Sequence, residues 1–162
     1  MHINSGGYNR LPSNYFATKL STGGSRSQTM CVITTEKRAY CWGLARFGQL
    51  GIGVVHVIVF MVMLLVLVTL EGVTDISQDG YTWSGSPGRL IYEYLSHTCA
   101  IASGRVYCWG GAGRGQSGSP PGGGGFGVYF EPSLSRWFSW GGATGVGVGI
   151  SHSCALVDVC WY

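Results

Sequence analysis

The chain has 162 residues, of which 10% are charged and 13% aromatic, with 28 glycines. That is long enough for one domain with a core. It is too poor in solvated side chains for the outer faces of ordinary helices, so the composition favours short, tightly turned strands. Ten Lys and Arg against seven Asp and Glu leave a net charge of +3, and the basic residues are scattered singly, which gives no electrostatic footprint for nucleic acid.

Residues 1–20 contain no continuous apolar core for a secretory signal, and the segment reads equally well as an internal piece of a longer protein. Six cysteines point the other way, toward an oxidising compartment. The first strongly patterned stretch, "MCVITTEKRAYCWGLARFGQLGIG" from Met30, predicts a hairpin. Cys31 faces Cys41 around a three-residue loop at Thr35, Glu36 and Lys37, followed by Trp42-Gly43, four residues, and Gly48-Gln49-x-Gly51.

Residues 54–70, "VVHVIVFMVMLLVLVTL", form an apolar insertion. Its length sits at the lower limit for a bilayer span, while its valines favour strand. Three readings stand: a membrane anchor, buried strands or a buried helix against the rest of the fold, or misread coding sequence. Beyond it Asp79-Gly80 reads as a turn.

The pattern then returns as "TCAIASGRVYCWGGAGRGQSGSP" from Thr98. A two-residue Ser103-Gly104 turn, one position of which needs positive φ, sets Cys99 opposite Cys108 with Ile101 and Val106 on the same face. Trp109-Gly110, four residues, and Gly115-Gln116-x-Gly118 follow. "SPPGGGGFG" from Ser119 is a flexible connection. The last stretch, "SCALVDVCWY", holds Cys154, Cys160 and Trp161, with a tight loop expected at Leu156, Val157 and Asp158.

Trp42 and Trp109 are 67 residues apart, and Trp109 and Trp161 are 52 apart, so one period is near fifty with an insertion of about fifteen in the first interval, a propeller or solenoid period. The division expected is a first unit with an N-terminal extension (1–53), the insertion and a degraded connection (54–95), a second unit (96–118), a Gly/Pro-rich connection (119–150) and a truncated third unit (151–162).

Three chemistries are weighed on these residues. Gly110 to Ser117 has phosphate-loop spacing, but Gln116 stands where the lysine belongs, and "GSPPGGGGFG" cannot begin the helix that would hold the anion. Because the loop recurs with Gln49 in the first unit, it reads as a connection, its glutamines bonded to neighbouring main chain. His97 with Cys99, and His152 with Cys154, share strand faces, yet no Cys-x-x-Cys knuckle exists, so no metal is expected and each histidine should bond within its own blade. No nucleophile elbow or acid pair marks an active site, and no cofactor is implied. The six cysteines are either disulfides across each hairpin or buried thiols packing as small apolar groups. The tryptophans should lie on the face opposite the cysteines, between blades.

"SHTCAIASGRVYCWGGAGRGQSG" and "KRAYCWGLARFGQLGIG" resemble the repeat of the regulator of chromosome condensation family, specifically over 28–53, 96–118 and 151–161. The resemblance implies an all-β fold of four-stranded β-propeller-type blades, incomplete here at about three units. Where the others have His97 and His152, the first unit has Gln28 and an extra residue. Three units cannot close a ring, so the remaining blades or other copies of the chain are needed. The functions implied are non-catalytic: protein interaction, guanine-nucleotide exchange on a small GTPase among them, in a cytoplasmic setting. The alternative is a membrane-anchored or secreted recognition module containing disulfides.

Overall fold

The computed structural model describes residues 11–24, 28–45, 47–53, 61–80, 96–113, 115–118, 127–136 and 141–158, without the side chains of 61–64. Among these residues there are ten strands and no helix longer than a single turn: β1 (Ala17–Thr22), β2 (Thr29–Thr34), β3 (Ala39–Leu44), β4 (Met61–Leu67), β5 (Val73–Asp79), β6 (His97–Ala102), β7 (Arg105–Gly111), β8 (Val128–Leu134), β9 (Ala143–Gly149) and β10 (His152–Val157). They form three antiparallel sheets, β1-β2-β3-β4, β5-β6-β7-β8 and β9-β10. The first two are complete meandering blades and the third is half a blade. The described residues form no closed ring, consistent with an incomplete propeller.

The second blade is a sheet packed on both faces, against the first blade on one side and the third unit on the other. Residues two apart share a face, so Cys31, Ile33, Ala39 and Cys41 line one side of the first blade. They pack in one cluster with Val73, Ile76, Ala100, Ala102 and Trp109 of the second. The opposite side of the second blade repeats the arrangement: Cys99, Ile101, Val106 and Cys108 meet Ala143, Val146, Val148, Ala155 and Val157 of the third unit. The core is therefore two inter-blade seams.

The outer faces at either end show what a seam covers. Leu156 holds the register position of Ile101, opposite the first strand of its own sheet; it is 71% exposed where Ile101 is 0%. Leu20 and Met30, at the positions of the buried Ile76 and Thr98, are exposed on the first blade.

A local irregularity recurs in every unit. The register shifts at one residue after the start of β1, β5 and β9, between Ala17 and Lys19, between Val73 and Asp75, and opposite Leu156/Val157. The extra residue is a threonine each time, Thr18, Thr74 and Thr144, and such a bulge sharpens the strand's twist where the next blade must begin. The residue before each strand, Phe16, Gly72 or Gly142, offers its carbonyl to the N–H of Thr35, Ser103 or Asp158.

Four expectations need correction. The described part of the apolar run 54–70 is mainly β4, hydrogen-bonded to β3 with Leu67 opposite Tyr40 and Val66 opposite Cys41. No helix among the described residues is long and apolar enough to cross a membrane; the β-branched content and the open edge of β3 win over the length of the run. Leu156 and Val157 are not a loop but the end of β10, paired with Gly145 and Ala143, because β9 offers a partner strand along the whole of β10. The first unit has no extra residue before its cysteine: Thr29 faces Gly43 as His97 faces Gly110. Gln28 thus corresponds to Ser96, and the two carbonyls accept the same bonds, from Leu44 and Gly111 N–H. Finally, both residues of the Ser103-Gly104 turn have positive φ, 51° and 73°, the arrangement that matches strand twist in a two-residue hairpin.

Candidate functional site

The polar residues that carry chemistry in other proteins meet here at the two seams, and their partners can be followed bond by bond. β2 and β3 place Cys31 directly opposite Cys41, and β6 and β7 place Cys99 opposite Cys108. Both pairs are disulfides, fully or almost fully buried. Cys154, on the outward face of β10, is a free and exposed thiol; Cys160 and Trp161 lie outside the described residues.

The Gly-Gln-x-Gly loops act through main-chain carbonyls. The Gln49 C=O accepts from Thr98 Oγ1 at 2.9 Å and from the Trp109 indole Nε1 at 2.8 Å, both in the next blade. The Gln116 C=O accepts from Ser153 Oγ at 2.8 Å, and Ser153 stands in β10 where Thr98 stands in β6. Within the loops, Gly48, Gly51, Gly115 and Gly118 donate their own amides to Ala45, Gly48, Ala112 and Gly115. All four have positive φ. Those four amides are thus occupied within the loops, and the Gln49 and Gln116 carbonyls turn to the seam. The Gln49 side chain accepts from Phe47 N–H at 2.8 Å, while its Nε2 is buried without a hydrogen-bond partner.

Trp109 is fully buried in the first seam. Trp42, at the same place in the first blade, is half-buried, because no described unit covers that face. Gly43 and Gly110 each follow the tryptophan where the strand must approach its neighbour closely. A methyl on Gly110 would stand 2.7 Å from Ser96 O and 2.9 Å from His97 Cα.

His97 reaches beyond its own blade. Its Nε2 lies 2.8 Å from Ser153 Oγ in the third unit. Since the single Ser153 proton goes to Gln116, His97 Nε2–H is the donor. His152, in the same register slot of β10, is exposed. With His97 engaged this way and Cys99 in a disulfide, the pair suggested for metal is unavailable, and no group of three metal-ligating side chains occurs among the described residues.

Sequence reasoning missed the residue with the widest reach. Asp75, just past the threonine bulge of β5, pairs through Oδ1 with Lys19 of the first blade and accepts from Ile76 N–H. Through Oδ2 it accepts from Val146 N–H of the third unit at 3.0 Å. Ser77 Oγ accepts from Val148 N–H at 3.1 Å, and Gln78 Nε2 donates to Ser21 O and Thr29 O. The signal was the Thr-x spacing after the first strand residue, which alignment on cysteines passes over. Truncating Asp75→Ala leaves buried amides unpaired in two units and should cost about 2–3 kcal/mol. Asp75→Asn, which keeps an acceptor, should cost less; urea denaturation measures both.

A shallow cleft of about 380 Å³ is lined by Gly53 and by β8 from Val128 to Ser133, with Glu131 the one charged residue in its wall. Burial is the main cause holding the Tyr40 phenol above its ordinary range, and nearby Tyr15 adds to it.

No protein-family model and no curated protein matches the sequence. Among solved structures, human WBSCR16 superposes with a TM-score of 0.65 at 13% identity, covering 91% of this chain and 32% of that one. Yeast RCC1 (Prp20), solved bound to Kap60, gives 0.64 at 17% identity over 88% of this chain and 30% of that one. Prp20p from Saccharomyces cerevisiae, solved separately, gives 0.63 at 18% identity over 88% and 31%. The chain thus spans about a third of the length of the proteins it matches. These neighbours share its fold of propeller blades.

Proposed function

From a chain that carries the blade fold of the regulator of chromosome condensation propellers, we propose a non-catalytic protein-interaction module that recognises its partner through loops on one rim. The observation that carries this reading is the use of the reactive side chains. His97, Ser153 and both buried cysteine pairs are engaged at blade seams, so recognition falls to the surface.

The finer proposal is a small GTPase as partner, with guanine-nucleotide exchange as the activity regulated. It is supported by the resemblance of the repeats and by a fold neighbour, Prp20p, described with binding properties to Gsp1p and histones. Exchange by stabilising a nucleotide-free partner needs binding energy and positioning rather than catalytic groups on the module. The test is release of a fluorescent guanine nucleotide from preloaded small GTPases. Acceleration that saturates with the chain's concentration is expected; unchanged release across the candidates removes this proposal.

The bare end faces, Leu20 and Met30 at one end and Leu156 at the other, fit cover by further blades or by other copies of the chain. A second reading, a secreted recognition module, is favoured by the two disulfides, which persist in oxidising compartments.

A further inference from the structure

The two disulfides occupy equivalent positions, yet their surroundings differ in chemistry. Cys31 Sγ lies 3.1 Å from Gln78 Oε1. The Gln78 amide orientation is fixed by its Nε2, which donates to Ser21 O and Thr29 O, so the sulfur faces a carbonyl oxygen with no proton to give. Cys99 Sγ instead lies 3.4 Å from Ser153 Oγ, a hydroxyl already within 2.8 Å of the Gln116 carbonyl it donates to.

We propose that Cys99–Cys108 is a thiol-responsive bond: low-molecular-weight thiols reduce it ahead of Cys31–Cys41, and its reduction loosens the third unit from the second blade.

Exchange proceeds by attack of a thiolate on one sulfur and departure of the other. Attack on Cys108 Sγ gives a mixed disulfide and expels Cys99 as thiolate. The second thiol of a dithiol reagent then closes on its own sulfur and frees Cys108. The two cysteines take up the two protons the dithiol gives up, and the dithiol leaves as its cyclic disulfide. A departing Cys99 meets the Ser153 hydroxyl, and a charged acceptor draws a hydrogen bond more strongly than a neutral one. A departing Cys31 would meet the repulsive Gln78 oxygen.

The same rotation couples chemistry to docking. When Ser153 turns to Cys99 it leaves Gln116, and the bond tying β10 to the second blade's loop is lost. Access is graded in the same direction. Both bonds are buried, so a reagent reaches them only when a seam opens, and a seam whose cover is less buried opens more readily. The first seam is held by the Lys19–Asp75 ion pair, by Gln78, and by Trp109 and Thr98 on Gln49. The second is closed by a two-stranded half-blade whose seam residues, Val146, Val148, Ala155 and Val157, are only partly buried, tied by the Val146 and Val148 amides to Asp75 and Ser77 and by Ser153 to Gln116 and His97.

The test is a time course of the full chain with dithiothreitol, quenched by N-ethylmaleimide and mapped by peptide mass spectrometry, with hydrogen exchange on the partly reduced protein. Cys99 and Cys108 should be labelled about tenfold faster than Cys31 and Cys41. The Val146 and Val148 amides, which bond to Asp75 and Ser77, should exchange about tenfold faster once that bond is open. Equal or reversed rates, unchanged exchange at those two amides, or four labelled cysteines before reductant is added would each overturn the proposal.

Discussion

Trp109→Ala should cost about 3–5 kcal/mol in urea denaturation, the range for losing a large buried aromatic and leaving a cavity. The side chain is fully buried between the first two blades, and its indole N–H holds the Gln49 carbonyl at 2.8 Å. Trp109→Phe separates the two contributions. It keeps much of the apolar volume, removes the donor, and should cost about 1–2 kcal/mol, the price of a carbonyl that keeps only the Thr98 hydroxyl. Trp42→Ala is the comparison: the same position in the first blade is half-buried, so its loss should be clearly smaller. Equal costs at 42 and 109 would mean that the first blade's outer face is covered in solution.

Gly110→Ala carries the second large effect. The residue sits at φ 94°, where an L side chain is strained, and the new methyl would press on the backbone at Ser96 and His97. Neither neighbour is a flexible side chain, so strain and overpacking add, to about 3–5 kcal/mol or outright failure to fold. Gly115→Ala isolates the backbone term alone. It has positive φ too, at 77°, but nothing stands within 4 Å of the added methyl, so about 1 kcal/mol is expected. Circular dichroism melts of the two variants side by side measure the difference. A Gly115→Ala loss as large as that of Gly110→Ala would refute the packing argument.

Blade architecture was legible because its signals are local. A cysteine, a short turn and a second cysteine fix a hairpin register, and Cys-Trp-Gly fixes which strand follows. The fourth strand of the first blade was legible only as one of three readings, because all seven residues of β4 are apolar and period-two alternation, the mark of a strand, is absent. The third unit misled for a related reason: its closely spaced cysteines suggested a loop at Leu156 and Val157, whereas both extend β10 against β9, a strand written in alternating glycine and valine. The seam chemistry was least legible. Ser153, Thr98 and Asp75 find partners 37 to 71 residues away, and no spacing rule within one unit encodes a bond to the next. His97 shows the limit directly, since the same residue at position 152 in the same register is exposed.

The loop carbonyls at Gln49 and Gln116 have a consequence for how such a protein can change over generations. A seam held by two specific side chains would have to mutate both partners together. Here the acceptor is peptide backbone, which every amino acid supplies. The donor common to both seams is a hydroxyl, threonine in one unit and serine in the next, joined in the first by the indole of the repeated tryptophan. A duplicated or transplanted unit therefore arrives already compatible with its new neighbour. Sequence between the anchors is free to drift while the joint still fits, and a chain of such units can lengthen without any new complementarity being invented.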